Sequence, residues 1–199
     1  MASLQEYLNS QQQSIRLEAA LAAGTSPQPE FIEILIHQCA TESDFFVRDT
    51  LSWALMRQDR EQVVERLAVE LNSPIPQARS QALHTFSKIG DQANYSRITP
   101  EHLFDPDDSV ASTAWRAASV LVPEGEKAKL VKLLVTQLGR GDGDTQFGLT
   151  RCLCNIGEAI VEPLREAATS EDETIRVHAE ITLMRFAELQ LEFKKLQGK

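Results

Sequence analysis

"DFFVRDTLSWAL", residues 44–55, and "DETIRVHAEITL", residues 172–183, share one pattern. Each opens on Asp, places an aliphatic residue three positions on and an Arg directly after it, then continues with apolar residues at helical spacing. With the aliphatic residue as anchor, six copies line up along the chain, at Ile15, Val47, Ala78, Val110, Thr145 and Ile175. Successive anchors lie 32, 31, 32, 35 and 30 residues apart. The position after the anchor reads Arg16, Arg48, Arg79, Ala111, Gln146, Arg176, and the fourth after it Ala19, Leu51, Ala82, Ala114, Leu149, Ala179. Small or apolar residues at 0, +4 and +8 trace one face of a helix.

Upstream of the later anchors stands a second apolar-periodic segment: "PEFIEILIHQCA", "REQVVERLAVEL", a poorer "NYSRITPEHLF", "EKAKLVKLLVTQL" and "AIVEPLREAA". Gly24, Gly90 and Gly157 read as stops after helices, and Pro74, Pro76, Pro106 and Pro123 mark helix ends. Asp44, Asp107, Asp142 and Asp172 sit three residues before their anchors, where a carboxylate caps a helix and faces the positive end of its dipole. No run alternates long enough for a strand. The expectation is an all-α chain of about six helical repeats, over approximately 1–25, 28–58, 60–91, 94–122, 126–157 and 159–197, in one domain spanning 1–199. One helix pair cannot bury its own apolar face, so the pairs are expected to stack into a right-handed α-α superhelix.

These residues resemble HEAT repeats, in particular the short variety named after phycobilisome lyases, whose second helix reads Asp, a few residues, Val-Arg, then Ala and Leu at helical spacing. Residues 44–55 and 172–183 fit that pattern, "PQARSQALHTFSKIG" lacks its Asp, and the copies at 107–121 and 142–157 keep Asp and lose Arg. The tetratricopeptide and ankyrin signatures are absent. The resemblance implies that Asp44, Arg48, Asp172 and Arg176 form a structural charged ladder. It also implies a more pliable middle, where Ala111 and Gln146 replace the Arg, and a concave face lined by the second helices.

A helical turn of 100° per residue puts 0, +4, +7, +8 and +11 on the core side, with +2, +6 and +9 opposite. The +6 row is Leu21, Trp53, His84, Arg116, Arg151, Ile181, flanked at +2 by Asp49 and Phe147. Trp and Arg dominate interface hot spots, so Asp49, Trp53, His84, Arg116, Phe147 and Arg151 are the candidate partner-binding residues. Trp115, at +5, is expected to wedge between repeats. The Arg pair suits an acidic protein or peptide, since guanidinium forks pair with carboxylates.

Composition bears on what else the chain does. Its 199 residues carry a formal charge of −9, and acidic residues outnumber basic ones in both halves. That argues against nucleic acid, where Lys and Arg must replace condensed counterions. No stretch approaches the roughly 18 apolar residues of a membrane span, and the N-terminus lacks a basic segment before an apolar run. Three cysteines, Cys39, Cys152 and Cys154, make no disulfide framework and no metal-ligand spacing, so a cytoplasmic protein without metal or cofactor is expected. "GRGDGDT", residues 139–145, lacks a P-loop Lys and a calcium-loop pattern, and reads as a turn. HEAT-repeat hydroxylases hold iron with adjacent His-Glu pairs, and no His here precedes Glu.

The function expected is therefore a non-enzymatic scaffold, with no catalytic residues, binding a protein or peptide. Two alternatives come from the resemblance: a DNA-binding or DNA-glycosylase-like protein, disfavoured by the acidic charge, and a chromophore-lyase-like subunit. Leu153 occupies the +8 core position, so Leu153→Ala should cost about 2–5 kcal/mol by the large-to-small rule. Hydrogen exchange should rise most in the repeats around it, and a rise spread evenly along the chain would contradict nearest-neighbour stacking.

Overall fold

A computed structural model describes residues 3–197. Twelve α-helices run in order: α1 (Leu4–Leu8), α2 (Gln13–Thr25), α3 (Phe31–Thr41), α4 (Phe45–Met56), α5 (Arg60–Glu70), α6 (Pro76–Ile89), α7 (Pro100–Leu103), α8 (Asp108–Leu121), α9 (Lys127–Val135), α10 (Gly143–Ile156), α11 (Val161–Ala167) and α12 (Glu173–Gln197). Short 3-10 turns precede α7, α9 and α11, and no strand occurs among the described residues. The fold is an all-α solenoid of helix pairs. The chain forms two compact units, Met1–Gly90 and Asp91–Lys199. In the first, α2, α4 and α6 pack in series, and in the second α8, α10 and α12 do.

The expected core face is buried where stacking requires it. Val47, Val110 and all six +4 residues are buried, and +8 is buried in every repeat except the last, where Leu183 is half-buried. The anchors Ile15, Thr145 and Ile175 are only half-buried, and Ala22 at +7 of the first repeat is exposed. The +9 position departs from expectation, because Gly24 and Ser119 are buried there. Met56 and Met184 are exposed there as expected, and at Gly24 the position meets Trp53 of the neighbouring second helix.

Caps follow the sequence pattern. Asp44, Asp107, Asp142 and Asp172 each accept backbone N–H bonds from their own first turn. The Val47 N–H bond is the leading reason that the Asp44 carboxyl titrates below its ordinary range. Pro76 occupies the first turn of α6, and Gly90 ends that helix at φ 69°. Gly24 is a correction: α2 runs through it to Thr25, and its lack of a side chain serves packing instead.

The repeated Arg has a uniform task. Arg16, Arg48, Arg79 and Arg176 each donate Nη1 to the carbonyl six residues earlier, on Ser10, Glu42, Ser73 and Ser170, at 3.0, 2.9, 2.9 and 3.0 Å. Those carbonyls lie at or just beyond the end of each first helix, where the helix has no donor left to offer. Arg16 also forks onto the buried Glu42 of the next repeat, at 2.8 and 2.9 Å. Burial pushes the Glu42 carboxyl up, but hydrogen bonds from Arg16, the Asp44 N–H and Gln38 outweigh it and hold the group below its ordinary value.

The two repeats without the Arg keep the bond by other means. Gln146 donates its amide to the carbonyls of Gly139 and Gly141, both at 3.3 Å. The carbonyl six before Ala111 belongs to Asp105, and Arg140 of the following turn donates to it. Arg140 also bonds Asp108 at 2.8 Å and covers the ring of Trp115, which is fully buried and donates its indole N–H to Leu103 O. The middle repeats have thus replaced the cation rather than lost its contact.

The last helix differs in length. Its inner stripe runs Ala179, Thr182, Phe186, Leu189, Phe193, Leu196, spaced by three and four residues. Exposure along it climbs from 7% at Phe186 to 37%, 58% and 73% at the three residues that follow. The apolar face therefore outruns the core it packs on.

Arg140→Met should destabilise the protein by about 2–3 kcal/mol, because a buried carbonyl loses a charged donor. Arg165→Met, which breaks an exposed pair with Glu162 on α11, should cost at most about 0.5 kcal/mol. Equal effects of the two in denaturant titrations would remove the turn contact from the account.

Candidate functional site

The candidate residues fall three to each unit. In Met1–Gly90, Asp49 on α4 accepts from Lys88 Nζ of α6 at 3.2 Å and lies 3.6 Å from His84 Nε2. Trp53, one turn after Asp49, is partly exposed and leans on α2. There a Cβ added to Gly24 would come within 2.2 Å of ring atom Cζ3. The Cε3, Cζ3 and Cη2 atoms of the indole thus pack on the bare backbone at Gly24.

In Asp91–Lys199 the surface is open. Arg116 of α8 and Arg151 of α10 line one cavity of ≈ 370 Å³ with Ser112, Val120 and Asn155. Asn155 Nδ2 donates to Ser119 O at 2.9 Å and ties α10 to α8 at the floor. The volume lies within the usual range of ligand clefts. Among the described residues, neither Arg116 nor Arg151 has a hydrogen-bond or ion-pair partner on its guanidinium. Arg140, Arg165, Arg176 and Arg185 of the same unit are all engaged. In a chain with 29 acidic side chains against 20 Lys and Arg, two adjacent uncompensated guanidiniums stand out as a place for an external anion.

Phe147, exposed on α10 one turn before Arg151, faces the next groove. That cavity, of ≈ 410 Å³, is lined by Phe147, Arg151, Cys154, Asn155, Arg185 and Leu189. Arg185 and Leu189 were not among the sequence candidates. Arg185 lies one turn past Ile181, at +10 of its repeat, the position that Asn155 holds in the preceding one, and Leu189 at +14 lies beyond the length of the other second helices.

Burial pushes the Cys39 thiol up to about 12 and the Cys152 thiol up to about 11, so neither supplies a thiolate near neutrality. Among the described residues no three His, Cys, Asp or Glu side chains gather to hold a metal ion. No described helix is long and apolar enough to cross a membrane.

Beneath the second groove lies a polar network that periodicity does not reveal. Gly139 N–H donates to His178 Nδ1 at 3.0 Å, and His178 Nε2 lies 3.1 Å from Thr150 Oγ1. Thr150 and Thr182 hydroxyls meet at 2.9 Å, and Thr182 returns its proton to His178 O at 2.8 Å. Because Nδ1 accepts, the ring is neutral with its proton on Nε2, and burial holds its pKa below the ordinary 6.5. The stability it contributes is complete above about pH 6.5 and is lost as pH falls through the lowered folded-state value. Denaturation midpoints at pH 8 and pH 5 should therefore differ more for the wild type than for His178→Gln. Identical differences would show that the network does not titrate.

No family model matches the chain, and no curated protein matches it in sequence. Among solved structures, an engineered protein is 19% identical, over 94% of this chain and 99% of its own, with a TM-score of 0.49. The complex of CpcE and CpcF of phycocyanin lyase from Nostoc sp. PCC7120 is 16% identical, over 88% of this chain and 73% of that one, with a TM-score of 0.50. The chain is similar in fold to that structure, a likeness that shows a helical-repeat fold.

Proposed function

We propose that this chain is a non-enzymatic interaction scaffold of the cytoplasm, a single helical-repeat domain that binds an acidic protein segment on the exposed face of its second helices. The observation that carries this reading is the pair Arg116 and Arg151, which share one ligand-sized cleft and have no partner among the described residues. A carboxylate seated in the cleft they line makes charge-assisted bonds to their guanidiniums. In Met1–Gly90, Asp49, Trp53 and His84 offer a second set of contacts, with Trp53 as an apolar anchor. The solved lyase of similar fold is itself a complex of two proteins, which accords with a role in protein association.

The test is affinity capture from the source lysate with wild type and the Arg116→Glu, Arg151→Glu double variant. The variant should lose its captured partners while its helical circular-dichroism signal and melting temperature stay nearly unchanged. Partners retained by a folded double variant would overturn the reading.

A further inference from the structure

We infer that the segment bound by Asp91–Lys199 is a polyproline-II-like chain with a carboxylate at every third residue and apolar residues between, lying across α8, α10 and α12. This rests on the scaffold reading above and deepens it. The clefts between α8 and α10 and between α10 and α12 share Arg151 and Asn155, so they form one track rather than two separate holes. Each of the three helices brings one guanidinium to that track: Arg116, Arg151, Arg185. Packed helices lie about 8–10 Å apart. A polyproline II chain repeats its side-chain direction every three residues and advances about 3.1 Å per residue, which places successive carboxylates about 9 Å apart on one side. A β-strand turns residues i and i+3 to opposite faces and cannot meet the three arginines in register.

The intervening positions meet apolar surface. Val120 lies in the first cleft, and Phe147 and Leu189 in the second, both substantially exposed. Arg185 is held only by Glu188 at 3.1 Å, an exposed pair three residues apart on α12. Such pairs are weak, so a ligand carboxylate can exchange for Glu188.

The probe is a labelled heptapeptide, Glu-Pro-Leu-Glu-Pro-Phe-Glu, compared by fluorescence polarisation with a peptide of the same composition whose three Glu are contiguous. The full-length chain should bind the spaced peptide at least about tenfold more tightly than the contiguous one. Arg185→Glu should cost the spaced peptide about tenfold, as expected for loss of one charge-assisted pair. Arg116→Glu with Arg151→Glu should abolish binding in a protein whose circular dichroism is unchanged. Equal affinities for the two peptides, indifference to Arg185→Glu, or no binding of either would each overturn the inference. If that happens while the double Glu variant still loses its lysate partners, the scaffold reading stands without this register. If the variant keeps those partners, both fail.

Discussion

A backbone carbonyl at the turn between the two helices of each repeat must find a donor that its own helix cannot supply, and the architecture depends on meeting that need six times. Four repeats meet it with the Arg that follows the anchor, one with Gln146, and one with Arg140 reaching back from the next turn. A charged or amide donor on the second helix, closed onto the end of the first, fixes how the two helices of a pair sit. The face each pair offers its neighbour follows from that. The contact to Asp105 also joins two repeats, so turn closure and stacking become one interaction there.

This division of labour explains where the free charge lies. The repeated arginines and Arg140 are consumed by carbonyls or by carboxylates such as Glu42. Arg116 and Arg151 each sit five residues before the end of their helices, on a face where no acidic side chain among the described residues pairs with them. The candidate surface is defined as much by what its neighbours do as by its own composition. In the other unit the corresponding acid, Asp49, is already compensated by Lys88 and lies close to His84.

Periodicity was enough for the helix pairs, the Asp caps, the buried +4 row and the exposure of Trp53, Arg116 and Arg151, because each is a property of one helix and its axis. It was not enough for anything decided by what lies across the groove. Arg140 looked like part of a Gly-Asp turn, and nothing local says that it serves the carbonyl of another repeat. Arg185 was missed because only the +6 column was followed, and it stands at +10. Gly24 reads in sequence as a helix stop and His178 as an unremarkable member of its helix, although Gly24 receives an indole and His178 closes a hydrogen-bonded ring. At Gly24 and Ser119 the outward +9 position is buried, which a single helix cannot report.

The contact between Trp53 and Gly24 carries a consequence for how this sequence can change over time. Any side chain at position 24 displaces the indole, while a small residue at position 53 leaves a bare stretch of backbone exposed on α2. Neither step alone is neutral, so the two positions are expected to be inherited as a pair. In divergent copies of this chain, a bulkier residue at 24 should accompany a smaller one at 53. Positions 29 residues apart in sequence would then carry a shared evolutionary record of the distance between two helices.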